Sequence, residues 1–199
     1  MRSPTPGTVL LITLAVLSGC GGDRSSRPVA DRPAGVAAVR LVPGPVRVEP
    51  TGTPGELSGP DREAVLAALA TYVQDATLRP LAGRAPTLGT LSPDLAGVLD
   101  EHQRDALLDE GLPRTPGRPR VQATPVPLTA LLDGDGRPAL VGAALDVTVR
   151  APLAGRGSIE VHRRGELVLR PVGGQWRIAS FRLEVSRTPA GTPEAGGAR

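Results

Sequence analysis

Apolar residues fall into three regimes along this chain. Behind Arg2, Val9 to Leu17 form an apolar run of Val, Leu, Ile and Ala with one Thr. It is far shorter than the roughly 20 residues needed to cross a bilayer. Further on, Val65, Leu66, Leu69, Tyr72, Val73 and Ala76 recur at helical spacing on one face. Ser58 is a suitable N-cap, Pro60 tolerates an early helical position, and Asp61 and Glu63 suit the positive end of the helix dipole. With Arg79 in the last turn and Pro80 as the stop, the spacing predicts a helix over 60–78. Ser92-Pro93 opens a shorter helix with Leu95, Val98 and Leu99 inward. Another turn or two is expected through Arg104 to Glu110, closed by Gly111.

After Arg120 the period becomes two. Val126, Leu128, Ala130 and Leu132 alternate in a first run, which Pro125 and Pro127 assign to a sheet edge. Asp133-Gly134-Asp135-Gly136 reads as a turn. Val141, Ala143, Leu145, Val147 and Val149 then alternate, with Asp146, Thr148 and Arg150 on the other face. A third strand, Ser158 to Arg170, carries Ile159, Val161, Leu167 and Leu169 inward. Arg163 and Gly165 interrupt that face, so a bulge or bend is expected there. Arg163 either keeps the apolar phase and points inward to bind a carboxylate or phosphate, or is turned outward by the bulge, and the outward reading is preferred. Gly173-Gly174 predicts a primed hairpin turn into the strand Gln175 to Arg187. The apolar phase of that strand switches near Ala179-Ser180, from Trp176 and Ile178 to Phe181, Leu183 and Val185. Helices followed by meandering strands indicate an α+β domain with helices on one face of a curved, four-stranded antiparallel sheet.

Between the apolar run and the helix, residues 20–59 are rich in Pro and Gly and read as a tether. A coil of that length spans roughly 35 Å. Within it Val36 to Glu49 is apolar enough to dock as an edge strand, but the plain tether is preferred. Residues 188–199 are small and polar and are expected to be disordered. The predicted organisation is therefore 1–19 signal peptide, 20–59 tether, 60–187 domain and 188–199 tail.

Composition sharpens this picture. Aromatic residues make up only 2%, so the core is aliphatic. Every basic side chain except the histidines is an arginine. The net charge is +3, and +2 once Arg2 is removed, too small for the concentrated basic face of a nucleic-acid binder. Cys20 is the one cysteine. It follows Leu17-Ser18-Gly19, and the four together resemble the lipobox of bacterial lipoproteins. The resemblance implies cleavage before Cys20, with Leu17, Ser18 and Gly19 as the recognition residues. It also implies a diacylglyceryl group on the Cys20 thiol, followed by an N-acyl chain such as palmitate. The protein would then be exported and lipid-anchored to the outer face of the cell membrane. Two or more acyl chains give stable attachment.

The order of elements, with Gly165-Glu166-Leu167-Val168-Leu169 and Gly173-Gly174-Gln175-Trp176-Arg177-Ile178 at its end, resembles NTF2-like (cystatin-like) domains. That resemblance covers about 60–187 and implies a cone between helix and sheet that can hold a ligand. Tyr72, Arg163 and Trp176 are the candidate pocket residues. NTF2-like enzymes place an acidic base in such a cone, but no acid here matches a family motif, so no catalytic residue is assigned. Asp133 and Asp135 lack the oxygen ligands that a calcium loop would need at Arg137 and Ala144. His102 and His162, with no cysteine at metal-ligand spacing, suggest no zinc site. No metal or cofactor is implied. The expected function is a non-enzymatic binding or assembly module with an envelope protein partner. The alternative is a small apolar ligand or an enzyme activity in the cone.

Overall fold

The computed structural model describes residues 38–49, 55–155 and 157–190. The expected signal peptide with Leu17, Ser18, Gly19 and Cys20, the part of the expected tether up to residue 37, and the expected tail from residue 191 lie outside the described residues. Among the described residues no helix is long and apolar enough to cross a membrane.

The domain is α+β. Strand β1 (Pro43–Glu49) precedes helix α1 (Gly59–Val73), a π-helical turn (Gln74–Leu78) and the single turn α2 (Arg79–Leu81). Two short helices follow, α3 (Pro93–Val98) and α4 (Glu101–Leu107). The chain then forms β2 (Arg120–Ala123), β3 (Val126–Leu132), β4 (Pro138–Pro152), β5 (Ser158–Val172) and β6 (Gln175–Ala190). The sheet is mixed and six-stranded, in the order β1-β3-β4-β5-β6, with β2 paired to β4. The expected four antiparallel strands are therefore corrected to six. Two short strands were missed. Val121 is the only large apolar residue of β2, too little to show an alternation. β1 lies inside the stretch read as tether.

β1 pairs in parallel with β3, from Pro43 opposite Val126 to Glu49 opposite Leu131. Pro43 and Pro45 do confine it to an edge, and the register slips between Pro43 and Val46, where a proline lacks its donor. The edge position expected for β3 is thereby taken by β1. β3 still alternates as read, with Val126, Leu128, Ala130 and Leu132 buried.

Ser58 caps α1 by accepting from the Asp61 N–H at 3.2 Å. The helical run does not stop at Pro80. The π turn intervenes, the Arg79 N–H reaches back to the Gln74 carbonyl, and the chain stays helical to Leu81. Pro80 has no N–H to give to Ala76, four residues back. The Ala76 carbonyl instead accepts from the Asp109 N–H at 3.0 Å. Ser92 caps α3 as expected. α4 is capped by a box not noted in the sequence: the Asp100 carboxylate accepts from the Gln103 N–H at 2.7 Å, and the Gln103 side chain accepts from the Asp100 N–H at 3.1 Å. Val98, expected inward, is 73% exposed.

The 133–136 turn is built as read, with the Asp133 carboxylate accepting from the N–H groups of Asp135 and Arg137. Gly173 and Gly174 both have positive φ, as a primed hairpin turn requires. The phase switch in β6 is a bulge, with Ser180 opposite Val168 and Ile178 opposite Leu169, leaving Ala179 unpaired. No bulge exists at Gly165. Pairing runs unbroken on both sides, placing Arg163 between Val147 and Val185, and Gly165 between Leu145 and Leu183. Buried residues of α1, the π turn and α4 join the inward faces of β3, β4 and β5 in one aliphatic core.

Candidate functional site

Unbroken register in β5 forces Arg163 to keep its inward phase. Its side chain is fully buried, which corrects the expectation that it turns outward. An arginine cannot shed its charge in a protein, so burial demands partners around the whole guanidinium. They come from three elements. Nε donates to the Thr77 hydroxyl at 2.8 Å, on the π turn. Nη1 donates to the Tyr72 hydroxyl at 2.8 Å, on α1, and to the Leu107 carbonyl at 3.1 Å, at the end of α4. Nη2 donates to Asp109 Oδ2 at 2.6 Å.

Asp109 is buried as well, at 1% exposure. Its Oδ2 also accepts from the Thr77 hydroxyl at 2.6 Å, and its Oδ1 accepts from Arg187 Nε at 2.8 Å. Arg187 Nη2 continues to the Asp105 carbonyl at 2.8 Å. The Tyr72 hydroxyl donates to the Leu107 carbonyl at 2.9 Å while accepting from Arg163, so both of its capacities are used. The Arg163 guanidinium carbon lies 5.5 Å from the Tyr72 ring centre, which adds a cation–π contact. Chemically the cluster is a clamp. It ties α1, the π turn and the chain after α4 to β5 and β6, and both carboxylate oxygens of its acid are committed.

The electrostatics agree with that reading. Burial pushes the Tyr72 phenol up to about 12, against a lowering by Arg163. For Arg163, burial works against the charge, but Tyr72 and Asp109 more than offset it and raise its pKa above the usual arginine value. The folded state thus holds Tyr72 protonated beyond its ordinary value of 10.0. That contribution to stability is complete below pH 10 and is lost as pH rises from about 10 through about 12, by roughly 2–3 kcal/mol. Tyr72 is the sole tyrosine, so tyrosinate absorbance reads it directly. The phenol of the native protein is expected to titrate near the top of that window, together with unfolding. Titration at the ordinary value in a still-folded protein would contradict the burial.

Of the sequence-derived pocket residues, the structure brings Tyr72 and Arg163 together and leaves Trp176 elsewhere. Trp176, at the start of β6, is half-buried. It lines an open surface trough of about 560 Å³ with Ala64, Ala68, Thr71, Asp75 and Thr90. The Thr90 hydroxyl is buried there without a hydrogen-bond partner among the described residues. His162 lies on the outer sheet face, where its Nε2 is 2.9 Å from Asp146 Oδ1. Among the described residues no group of His, Cys, Asp and Glu could hold a metal.

Sequence reasoning missed Thr77, Asp109 and Arg187. One signal was present: Arg187 continues the inward phase of Phe181, Leu183 and Val185. Asp109 gave none, because it was read as part of a helix running to Glu110, whereas α4 ends at Leu107. Compared with known proteins, the chain matches no family model, no curated protein and no solved structure.

Proposed function

We propose that this chain is an exported lipoprotein, cleaved before Cys20 and held by acyl chains on the outer face of the cell membrane. Its domain is an NTF2-like module that binds an envelope protein rather than catalysing a reaction. The lipobox-like Leu17-Ser18-Gly19-Cys20 supports the anchor. The order of helices then meander, with α1 packed into the sheet's core, supports the fold family. Two features depart from the expected cone: the parallel strand β1 and the six-strand count.

One observation carries the binding-module reading. In the interior, where an NTF2-like enzyme would keep a free acid, Asp109 is bonded to Arg163, Arg187 and Thr77. Both oxygens of that carboxylate are already committed to donors, so neither is left to face a substrate.

A second reading, small-ligand binding, is favoured by the trough beside Trp176 and the orphaned Thr90 hydroxyl. A ligand there would lie on the surface of α1 and the β5–β6 hairpin, not in the cone.

The anchor is tested by replacing Cys20 with Ser and fractionating the cells. The parent chain is expected in the membrane fraction at lipid-increased mass. The variant is expected to lose the added mass and leave that fraction. Unchanged mass and partitioning would refute the anchor.

A further inference from the structure

β6 is the last strand of the sheet, and its outer edge is covered only at its start. The Ile178 N–H donates to the Thr90 carbonyl at 2.9 Å, and the Ile178 carbonyl accepts from the Ser92 N–H at 2.8 Å. Beyond the Ala179 bulge no described strand pairs with that edge. An unpaired edge of this kind is a template for another strand. We propose that the occupant is a second copy of this chain, paired antiparallel along Ser180–Ser186 about a two-fold axis at Leu183.

The register follows from parity and charge. Directly opposed residues of an antiparallel pair share a sheet face. In β6, Phe181, Leu183 and Val185 oppose Leu167, Gly165 and Arg163, so they belong to the core face. Arg182 and Glu184 oppose Glu166 and Arg164, so they belong to the outer face. A two-fold pairing that keeps faces matched must centre on a residue. Centring on Arg182 sets arginine against arginine, and centring on Glu184 sets glutamate against glutamate; like charges directly opposed are destabilising. Centring on Leu183 puts Arg182 opposite the partner's Glu184 twice and Phe181 opposite the partner's Val185 twice. Neither Arg182 nor Glu184 has an ion pair among the described residues, and both are exposed. The paired stretch also ends where it should, because Ile178 is already occupied and Pro189 has no N–H. β1 is at the opposite edge of the sheet, so it does not compete for the free edge of β6.

The test uses the full chain in its own membranes with Leu183→Cys. At a two-fold centre the Cα atoms of opposed residues are about 4.5 or 5.5 Å apart, and both separations admit a disulfide. Mild oxidation is expected to give a covalent dimer that the parent chain, whose single cysteine is Cys20, does not give. A dimer yield no higher than the parent's would overturn the proposal. Charge swaps supply an independent reading by sedimentation of the detergent-solubilised chain. Arg182→Glu is expected to weaken the dimer about tenfold, and Arg182→Glu with Glu184→Arg to restore it. Within one copy the double swap instead sets like charges against Glu166 and Arg164. A purely intramolecular role therefore leaves the double variant worse than the single one, and that result would also overturn the pairing.

Discussion

Arg163→Met is expected to lower the unfolding free energy by about 3–5 kcal/mol. The substitution removes the donors to Thr77, Tyr72, Leu107 and Asp109 together. It leaves Asp109 at 1% exposure, with its Oδ2 held only by the Thr77 hydroxyl. A buried carboxylate left with Arg187 as its one ionic partner is the costly product, more than the loss of any one hydrogen bond. Against a typical total of about 5–15 kcal/mol, a large share of the stability goes. Urea unfolding should show a lower midpoint with an unchanged slope. Arg163→Met combined with Asp109→Leu is expected to recover much of the loss, because the buried charge disappears with its partner. Arg187 is then released, but it is already 31% exposed and can be solvated. A cost below about 1 kcal/mol for Arg163→Met would mean that the cluster does not hold the fold.

The second large effect is expected at Gly165. Its φ is +148°, a conformation that side-chain-bearing residues rarely adopt. A Cβ added there would overlap the Arg182 carbonyl oxygen and come within 3.0 Å of the Leu183 Cα. Both obstacles are backbone atoms of the neighbouring strand, so neither can swing aside. Gly165→Ala is expected to cost about 3 kcal/mol or more, strain and displacement combined. Gly142→Ala in β4 is the control. Its nearest obstacle is at 3.8 Å, so it should change stability by less than about 1 kcal/mol, in either direction. Similar midpoints for the two variants would show that Gly165 is not under this constraint.

The two positions mark where the sequence was legible and where it was not. Alternation found β4 and the inward set of β3 because one face of each is wholly buried, which is the condition under which period two is clean. The primed turn at Gly173-Gly174 and the Asp133 turn were readable because their chemistry is local. Arg163 was misread for the same reason that it matters. A charge on an apolar face looks like an interruption unless its partners are known. Its side-chain partners, Tyr72, Thr77 and Asp109, lie 91, 86 and 54 positions away in the sequence. Gly165, two residues on, invited the idea of a bulge, whereas a glycine of unusual φ sits there in an unbroken register. The helix end was misjudged because a π turn lets the chain carry Pro80 without breaking. β1 was undervalued because prolines argue against strands in general, though not against an edge strand whose register slips beside them.

These features bear directly on function. The Arg163–Asp109 cluster is closed by groups that satisfy one another, so the proposed reading looks for recognition on the exterior: the trough at Trp176, the outer sheet face with its His162–Asp146 pair, and the free edge of β6. The trough and the β6 edge lie on the same strand, one at each end, so a ligand or partner at Trp176 and a second copy at Leu183 would occupy separate stretches of it.

The central claim is that the Arg163–Asp109 cluster is a structural clamp inside a binding module and not a ligand site. Native mass spectrometry of the full chain purified from its own host tests it most directly. The expected result is the lipidated polypeptide, singly or in pairs, with no small molecule bound in the interior. A stoichiometric small molecule that disappears in a folded Arg163→Met/Asp109→Leu variant would contradict it.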